Sequence, residues 1–236
     1  MLILASDGNN LYTELENIKR MYIHKNKNIE AFFYKSNPDL SENFIIQEDI
    51  IYVKTMEVYP QLWKKFWLVL KALEHRLDEF DFICRPNIST FIILERYLQH
   101  VDKLPSTKCC SGVVHFGGQP IPFPAGYLFT ISTDVAKAFL HNTIIKDNEG
   151  IDDRCVGFIL KDLGISIINI SDNNYMVQSS KDVTDICTKL ENKKIFMIRI
   201  RHFKESPDTK FGIDVSDRFI KDLAVHNQLY DKFYRV

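Results

Sequence analysis

Glycine is scarce in this chain, 9 of 236 residues, and the glycine-rich phosphate loops GxGxxG and GxxxxGK[ST] are both missing. The HExxH zinc-site pattern and the GxSxG nucleophile elbow are missing too, which removes two large hydrolase classes. Neither sign of charge is in surplus, since 30 Lys and Arg stand against 31 Asp and Glu for a formal net charge of −1. A protein that grips nucleic acid needs positive charge in excess on some face, so that balance argues against nucleic acid as the partner. No apolar run reaches the ~18 residues of a membrane span. The opening Met1-Leu2-Ile3-Leu4-Ala5-Ser6-Asp7 has neither a basic region nor a long apolar stretch, so no signal peptide or anchor is expected. The expected setting is cytoplasmic, as for a soluble microbial or viral enzyme.

Cysteine gives no framework either. The five, Cys84, Cys109, Cys110, Cys155 and Cys187, contain no CxxC pair, and the vicinal Cys109-Cys110 does not have the spacing of a tetrahedral zinc site. They read as free, mostly buried thiols in a reducing compartment. The seven histidines are dispersed, which leaves no His-rich metal cluster.

What the chain does have is apolar material, 45% of residues with 12% aromatic, enough for a large core. Leu2 to Ala5 reads as a buried strand, and Leu11, Leu15, Ile18 and Tyr22 then recur at helical spacing after the turn cluster Asp7 to Asn10. Ile29–Tyr34 and Ile50–Val53 read as strands, and Pro60 opens a helix with Leu62, Phe66, Val69, Leu70 and Leu73 on one face. Phe80–Cys84 is a strand, and a helix is expected from Ser89. Gly112–Phe116 and Tyr127–Ile131 are strands, separated by an irregular loop with three prolines. Ser132 can cap a helix to Leu140; Asp152 opens another that Gly164 closes, ahead of a strand at Ile165–Ile170. Ile195–Ile200 is the last expected strand, and a helix runs from about Val215 towards Phe233. Strands alternating with helices predict one α/β domain over 1–236, a mostly parallel central sheet with helices on both faces. Ligands of such sheets sit beyond the carboxyl ends of the strands, which draws attention to Ser6-Asp7, Lys54-Thr55, Arg85-Pro86-Asn87 and Arg201-His202.

Asp152-Asp153 follows a turn-rich stretch, Lys146 to Gly150, and admits two readings. The pair caps a helix, accepting its first N–H groups, or it supplies a general base at a cleft. Arg85 next to Pro86 is held extended and can fork onto a phosphate or pair with a surface carboxylate. His202 at a strand end can bind metal or phosphate, or face water. Of the aromatic group Trp63, Phe66 and Trp67, Trp67 lies off the apolar face and is the one expected to be exposed.

Three blocks, in order, resemble the fringe and β1,3-galactosyltransferase group of GT-A-type glycosyltransferases. Val53 to Lys65 resembles that group's acidic–x–Tyr–x–Asn–Leu–x–x–Lys segment, with Glu57, Tyr59, Leu62 and Lys65 in place and Gln61 for Asn. Phe123 to Ala136 resembles its proline, small residue, Gly-Tyr, strand, Ser-x-Asp-x-Ala block. Asp152-Asp153-Arg154-Cys155-Val156-Gly157, with Leu160 and Leu163-Gly164-Ile165, resembles its Glu-Asp-Val-x-Val-Gly helix start, whose second acid is the base. The resemblance implies a GT-A-type, Rossmann-like fold and inverting transfer of a sugar from a nucleotide-sugar donor to a glycan acceptor. It implies Asp153 as catalytic base, and Asp7, Lys65, Arg85, Asn87, Ser89, Gly126, Asp152 and His202 around the donor. Ala125-Gly126 would let the backbone approach the donor sugar, or Gly126 simply marks a bend at a strand start.

The chain departs from the group at the metal-binding Asp-x-Asp, where it has Asn87-Ile88-Ser89. Mn²⁺ and Mg²⁺ want charged oxygen ligands, and Asn and Ser supply neutral ones. Either Arg85, Lys65 and His202 neutralise the diphosphate in place of a metal, or catalysis has been lost and a non-catalytic binder of nucleotide-sugar or glycan remains on the same fold.

Overall fold

The computed structural model describes residues 1–7, 10–118, 121–142, 150–178, 180–202 and 215–235, with the side chains of 180, 181, 187 and 215–218 outside that description. In chain order the elements begin β1 (Leu2–Leu4), α1 (Asn10–Ile23), β2 (Phe32–Ser36), β3 (Phe44–Gln47), β4 (Ile50–Val53) and α2 (Leu62–Ala72). They continue with β5 (Phe82–Pro86), β6 (Thr90–Ile92), α3 (Leu94–Val101), β7 (Cys110–His115), β8 (Phe123–Ser132), α4 (Thr133–His141) and α5 (Asp152–Leu163). The last are β9 (Ile167–Asn169), β10 (Asn174–Val177), α6 (Ser180–Glu191), β11 (Met197–Ile200) and α7 (Val215–Tyr234). Among the described residues no helix is long and apolar enough to cross a membrane.

The chain forms two compact units, each assembled from three stretches of sequence. The first takes Met1–Ser6, Glu30–Asn87 and Lys103–Ser171, and the second takes the remainder. In the first unit one sheet has the order β1-β2-β4-β3, with β1, β2 and β4 parallel and β3 antiparallel. The other has the order β5-β8-β7-β9, where only the β7–β9 pair is parallel. A parallel bridge between Leu4 and Asn87 links the two at β1 and the end of β5. The second unit holds a three-stranded sheet, β10-β11-β6, with β6 antiparallel to β11. The sheets are therefore mixed, not mostly parallel. The hairpin connections β3–β4 and β7–β8 reverse the chain without a crossover helix, and only a crossover keeps neighbouring strands parallel.

The core of the first unit is built on the apolar face expected of α2. Phe66, Val69, Leu70 and Leu73 are buried against Tyr34, Ile51, Val53, Phe129, Phe139 and the inner face of α5. Phe66 meets Phe129 and Phe139 edge-on at 5.8 and 5.2 Å, an arrangement favoured by ring quadrupoles. Trp67 is half-buried, not exposed, and its indole N–H donates to the Leu140 carbonyl at 2.8 Å. In the second unit Tyr22 stacks on Tyr234 at 4.4 Å and tilts against Phe91, tying α1 and α7 to β6.

Several elements differ from the sequence pattern for local reasons. The helix expected from Ser89 is a strand first: Thr90-Phe91-Ile92 are β-branched and aromatic and pair with β11, so α3 begins at Leu94. Strand β3 is hidden in the sequence because its hairpin turns on Glu48, at φ 52°, in place of a Gly or Asn. Strand β10 and helix α6 are likewise additions. Four of the cysteines, Cys84, Cys109, Cys110 and Cys155, are buried free thiols, and the Cys187 side chain lies outside the described residues.

Helix α5 opens with the acid pair and is fixed at both ends of its path. Gly164 closes it in the left-handed region at φ 66°, with its N–H on the Lys161 carbonyl and the next N–H, of Ile165, on that of Leu160. Gly157 lets the helix lie directly on the start of β8, since an added Cβ would stand 2.7 Å from Phe123 Cβ and 2.9 Å from the Pro122 carbonyl. Gly157→Ala is expected to push α5 off β8 and lower stability by about 1–3 kcal/mol, measured as a shift of the urea unfolding midpoint.

Candidate functional site

Three strand positions and one helix start converge in the first unit. Arg85 lies near the end of β5, Gly126 lies in β8, Tyr34 is in β2, and Asp152 and Asp153 are the first residues of α5. Arg85 has 1% of its surface exposed, yet all three guanidinium nitrogens are engaged. Its Nε donates to the Tyr34 hydroxyl at 3.0 Å, Nη1 donates to the Gly126 carbonyl, and Nη2 lies 2.6 Å from Asp152 Oδ2. The Phe129 ring faces the guanidinium carbon at 5.7 Å. Burial works against the charge of Arg85, and Asp152 and its other partners outweigh it, so the group is held more firmly protonated than usual.

Asp153 has one carboxylate oxygen on the Arg154 N–H at 2.8 Å. Its other oxygen occupies the space that a Cβ on Gly126 would need, 2.6 Å away. The close approach that Gly126 permits is thus to this carboxylate. Burial first, and the neighbouring Asp152 charge second, push the Asp153 carboxyl up to about 7, with Arg85 opposing them. Asp152 is also raised by burial, against the pull of Arg85 and of first-turn N–H groups. The capping reading is modified accordingly: the residue at the cap position is Ile151, which makes no side-chain cap bond, while the two acids sit inside the helix.

Lys65, 1% exposed on α2, donates to the Ala5 carbonyl at 2.8 Å and to Glu57 at 2.7 Å. Burial lowers its pKa, and Glu57 works against that. Lys65 and Arg85 are therefore both buried and paired within the protein, and a buried cation with bonded donors has less to offer a diphosphate than an exposed one. Asn87 is half-buried, donating its N–H to the Tyr127 carbonyl at 2.9 Å.

The remaining residues expected near a donor belong to the second unit. Asp7 is exposed there, next to residues 8–9, which lie outside the described ones. Ser89 is buried and accepts a hydrogen bond from Arg199 Nη1. His202 is 6% exposed, with Nδ1 2.7 Å from Asp222 Oδ1. His202 is thus also buried with a protein partner and does not face water. The turn-rich stretch before Asp152 lies largely outside the described residues.

Among the described residues no group of three or more His, Cys, Asp or Glu is placed to hold a metal ion. At the Asn87-Ile88-Ser89 stretch the oxygens are neutral and the Ser89 hydroxyl is already bonded, so these residues do not fit a tightly held Mn²⁺ or Mg²⁺. Tyr34 is the site residue that sequence reading misses. The available signal was a hydroxyl inside the run Phe32-Phe33-Tyr34, since a tyrosine in a fully buried strand needs a partner for its oxygen.

A carboxyl raised from about 3.8 to about 7 on folding means that the folded chain holds a proton the unfolded chain has released across that window. Stability therefore falls as pH rises from about 4 towards 7 through this group. Asp153→Asn removes the effect. The stability of the variant relative to the parent is expected to improve by on the order of 3 kcal/mol between about pH 4 and about pH 8, read from urea melts at both values.

No protein-family model matches the chain, and no curated protein matches it in sequence. Solved structures do. A glycosyltransferase involved in the glycosylation of the major capsid of PBCV-1 aligns over 94% of this chain and 97% of its own, at 11% identity and a TM-score of 0.50. Weaker likenesses are to the galactosyltransferase LgtC in complex with donor and acceptor sugar analogs, at 12% identity, 94% of each chain and a TM-score of 0.47. The apo-form glycosyltransferase GlyE of Streptococcus pneumoniae TIGR4 follows, at 10% identity, 98% of this chain, 63% of that one and a TM-score of 0.40. At such identities what is shared is the fold, and that fold is the GT-A type.

Proposed function

We propose that this chain is a glycosyltransferase, a single transferase domain that moves a sugar from a nucleotide-sugar donor to a glycan hydroxyl with inversion. The observation that carries the reading is the Asp153 carboxyl, raised to about 7 and seated against Gly126 at the start of α5, on a fold shared with a glycosyltransferase. A base whose pKa lies near the working pH is present in its ionised form and still takes a proton readily.

In this mechanism the acceptor hydroxyl gives its proton to Asp153 as its oxygen attacks the anomeric carbon. The bond from that carbon to the diphosphate breaks on the opposite face, so the configuration inverts. Asp152 stays paired with Arg85 and takes no proton. An open groove of about 570 Å³, lined by Val114, Ile121, Gly157, Leu160 and Ile167, runs along α5. Gly157 is one helical turn beyond Asp153, and we assign the groove to the bulk of the acceptor. Arg85 and Lys65 are buried with partners of their own and are not assigned to the diphosphate; the half-buried Asn87, just past the end of β5, is our candidate for donor contact.

The neutral Asn-Ile-Ser stretch supports a reaction without a bound divalent ion, so turnover is expected to persist in the presence of a chelator. The same stretch favours the second reading, a binder that has lost catalysis. A panel of nucleotide-sugars, followed by thermal shift and by product release, separates the two: binding with neither transfer nor donor hydrolysis, with or without Mn²⁺, leaves only the binder. For the enzyme, Asp153→Asn is expected to lower kcat by about 10²–10⁴-fold while donor affinity stays within about twofold. The parental kcat/KM is expected to rise through about pH 7 as Asp153 ionises. Parental turnover in the Asn variant would rule out Asp153 as the base.

A further inference from the structure

We propose that Tyr34 is a positioning residue for Asp153, acting through Arg85 and Asp152. The proposal rests on the reading of Asp153 as the base. Tyr34 is fully buried in β2, and its hydroxyl receives the Nε–H of Arg85 at 3.0 Å. A guanidinium is a rigid planar fork, so fixing Nε in direction also fixes where both Nη groups point. One of them meets the Gly126 carbonyl and the other stands 2.6 Å from Asp152.

Those two residues flank Asp153. Gly126 provides the gap its carboxylate fills, and Asp152 is its neighbour in the chain. One phenolic oxygen thus aims the two tines of a cation at the two sides of the candidate base. Phe129 lies over the guanidinium 5.7 Å from its carbon. Without the hydroxyl, the ring of a Phe would fill the same space but leave Nε–H with no acceptor in a buried site. The guanidinium would then turn to recover a partner, loosening its hold on Asp152.

The other ionisable groups around the acids do not take over this role. On α5 the Cys155 thiol is buried and raised by burial and by both acids. From α2, Lys65 stands 5.6 Å from the Tyr34 ring and is a donor like Arg85, while Glu57 is tied to Lys65 at 2.7 Å. With the cation less firmly held, Asp152 and Asp153 repel each other more, and Asp153 ionises at higher pH.

The test is a carboxyl-carbon NMR titration of the full chain labelled at Asp, with Asp153→Asn identifying the Asp153 signal. In Tyr34→Phe the Asp153 midpoint is expected to move up by about one pH unit, a tenfold smaller ionised fraction at a given low pH. Where turnover is measured, its acid limb should move by the same amount with the donor KM unchanged. A Tyr34→Phe protein that melts cooperatively and titrates on top of the parent overturns the proposal. Should that variant fail to fold, Arg85→Lys, which keeps the charge but loses the fork, is expected to shift the midpoint in the same direction, and an unmoved midpoint there overturns it equally. The titration uses no substrate. A shifted midpoint in a chain that transfers no sugar therefore upholds the positioning while removing the glycosyltransferase reading, and an unmoved midpoint in an active enzyme does the reverse.

Discussion

The buried pair of Arg85 and Asp152, 2.6 Å apart with side chains only 2% and 3% exposed, is the interaction on which the first unit depends. Taking both charges out of water carries a desolvation penalty of several kcal/mol per ion, and direct attraction alone does not reliably offset it. Neighbours add further polar contacts: the Tyr34 hydroxyl and the Gly126 carbonyl accept from Arg85, and first-turn N–H groups of α5 face Asp152. Each partner comes from a different element, so β2, β5, β8 and α5 must all be in register before the charges are compensated. A pair of this kind adds little to stability as such, but strongly penalises any arrangement that separates its members.

The same logic recurs at Lys65, which reaches from α2 to the Ala5 carbonyl just past β1 and to Glu57. In the second unit Lys19 donates to the Thr90 carbonyl at 2.5 Å, Arg199 to Ser89, and His202 pairs with Asp222. The cations Lys19, Lys65, Arg85 and Arg199 are thus bonded inside the protein. Of the strand-end residues singled out in the sequence, Arg85 and His202 are buried with protein partners, so side-chain exposure as well as chain position bears on whether a donor is available.

The two acids have different surroundings. Asp152 has a cation on its carboxylate; Asp153 has a backbone N–H and a glycine. Burial first, and the neighbouring Asp152 charge second, raise Asp153 to about 7, while Asp152, also raised by burial, is pulled back by the Arg85 charge beside it. This asymmetry makes the helix start a candidate base, and Gly126 in β8 leaves the space in which the Asp153 carboxylate lies.

Much of this could be read from residues in order along the chain. The apolar faces of α1 and α2, the Gly164 stop of α5, the buried β1 and β4 runs and the prominence of Asp152-Asp153 all follow from local periodicity and capping, which act within a few residues. Strand pairing does not. Whether β3, β6 and β8 run with or against their neighbours depends on which strands meet, and the β3–β4 hairpin carries no Gly or Asn signal at its turn. The site shows the same split. Local sequence singled out the acids, whereas the raised pKa of Asp153, the burial of Arg85 and its bond to the Tyr34 hydroxyl were decided by tertiary structure. Electrostatic energy depends on distance and burial, and these are set only when elements far apart in the chain, from β2 to α5, are packed together.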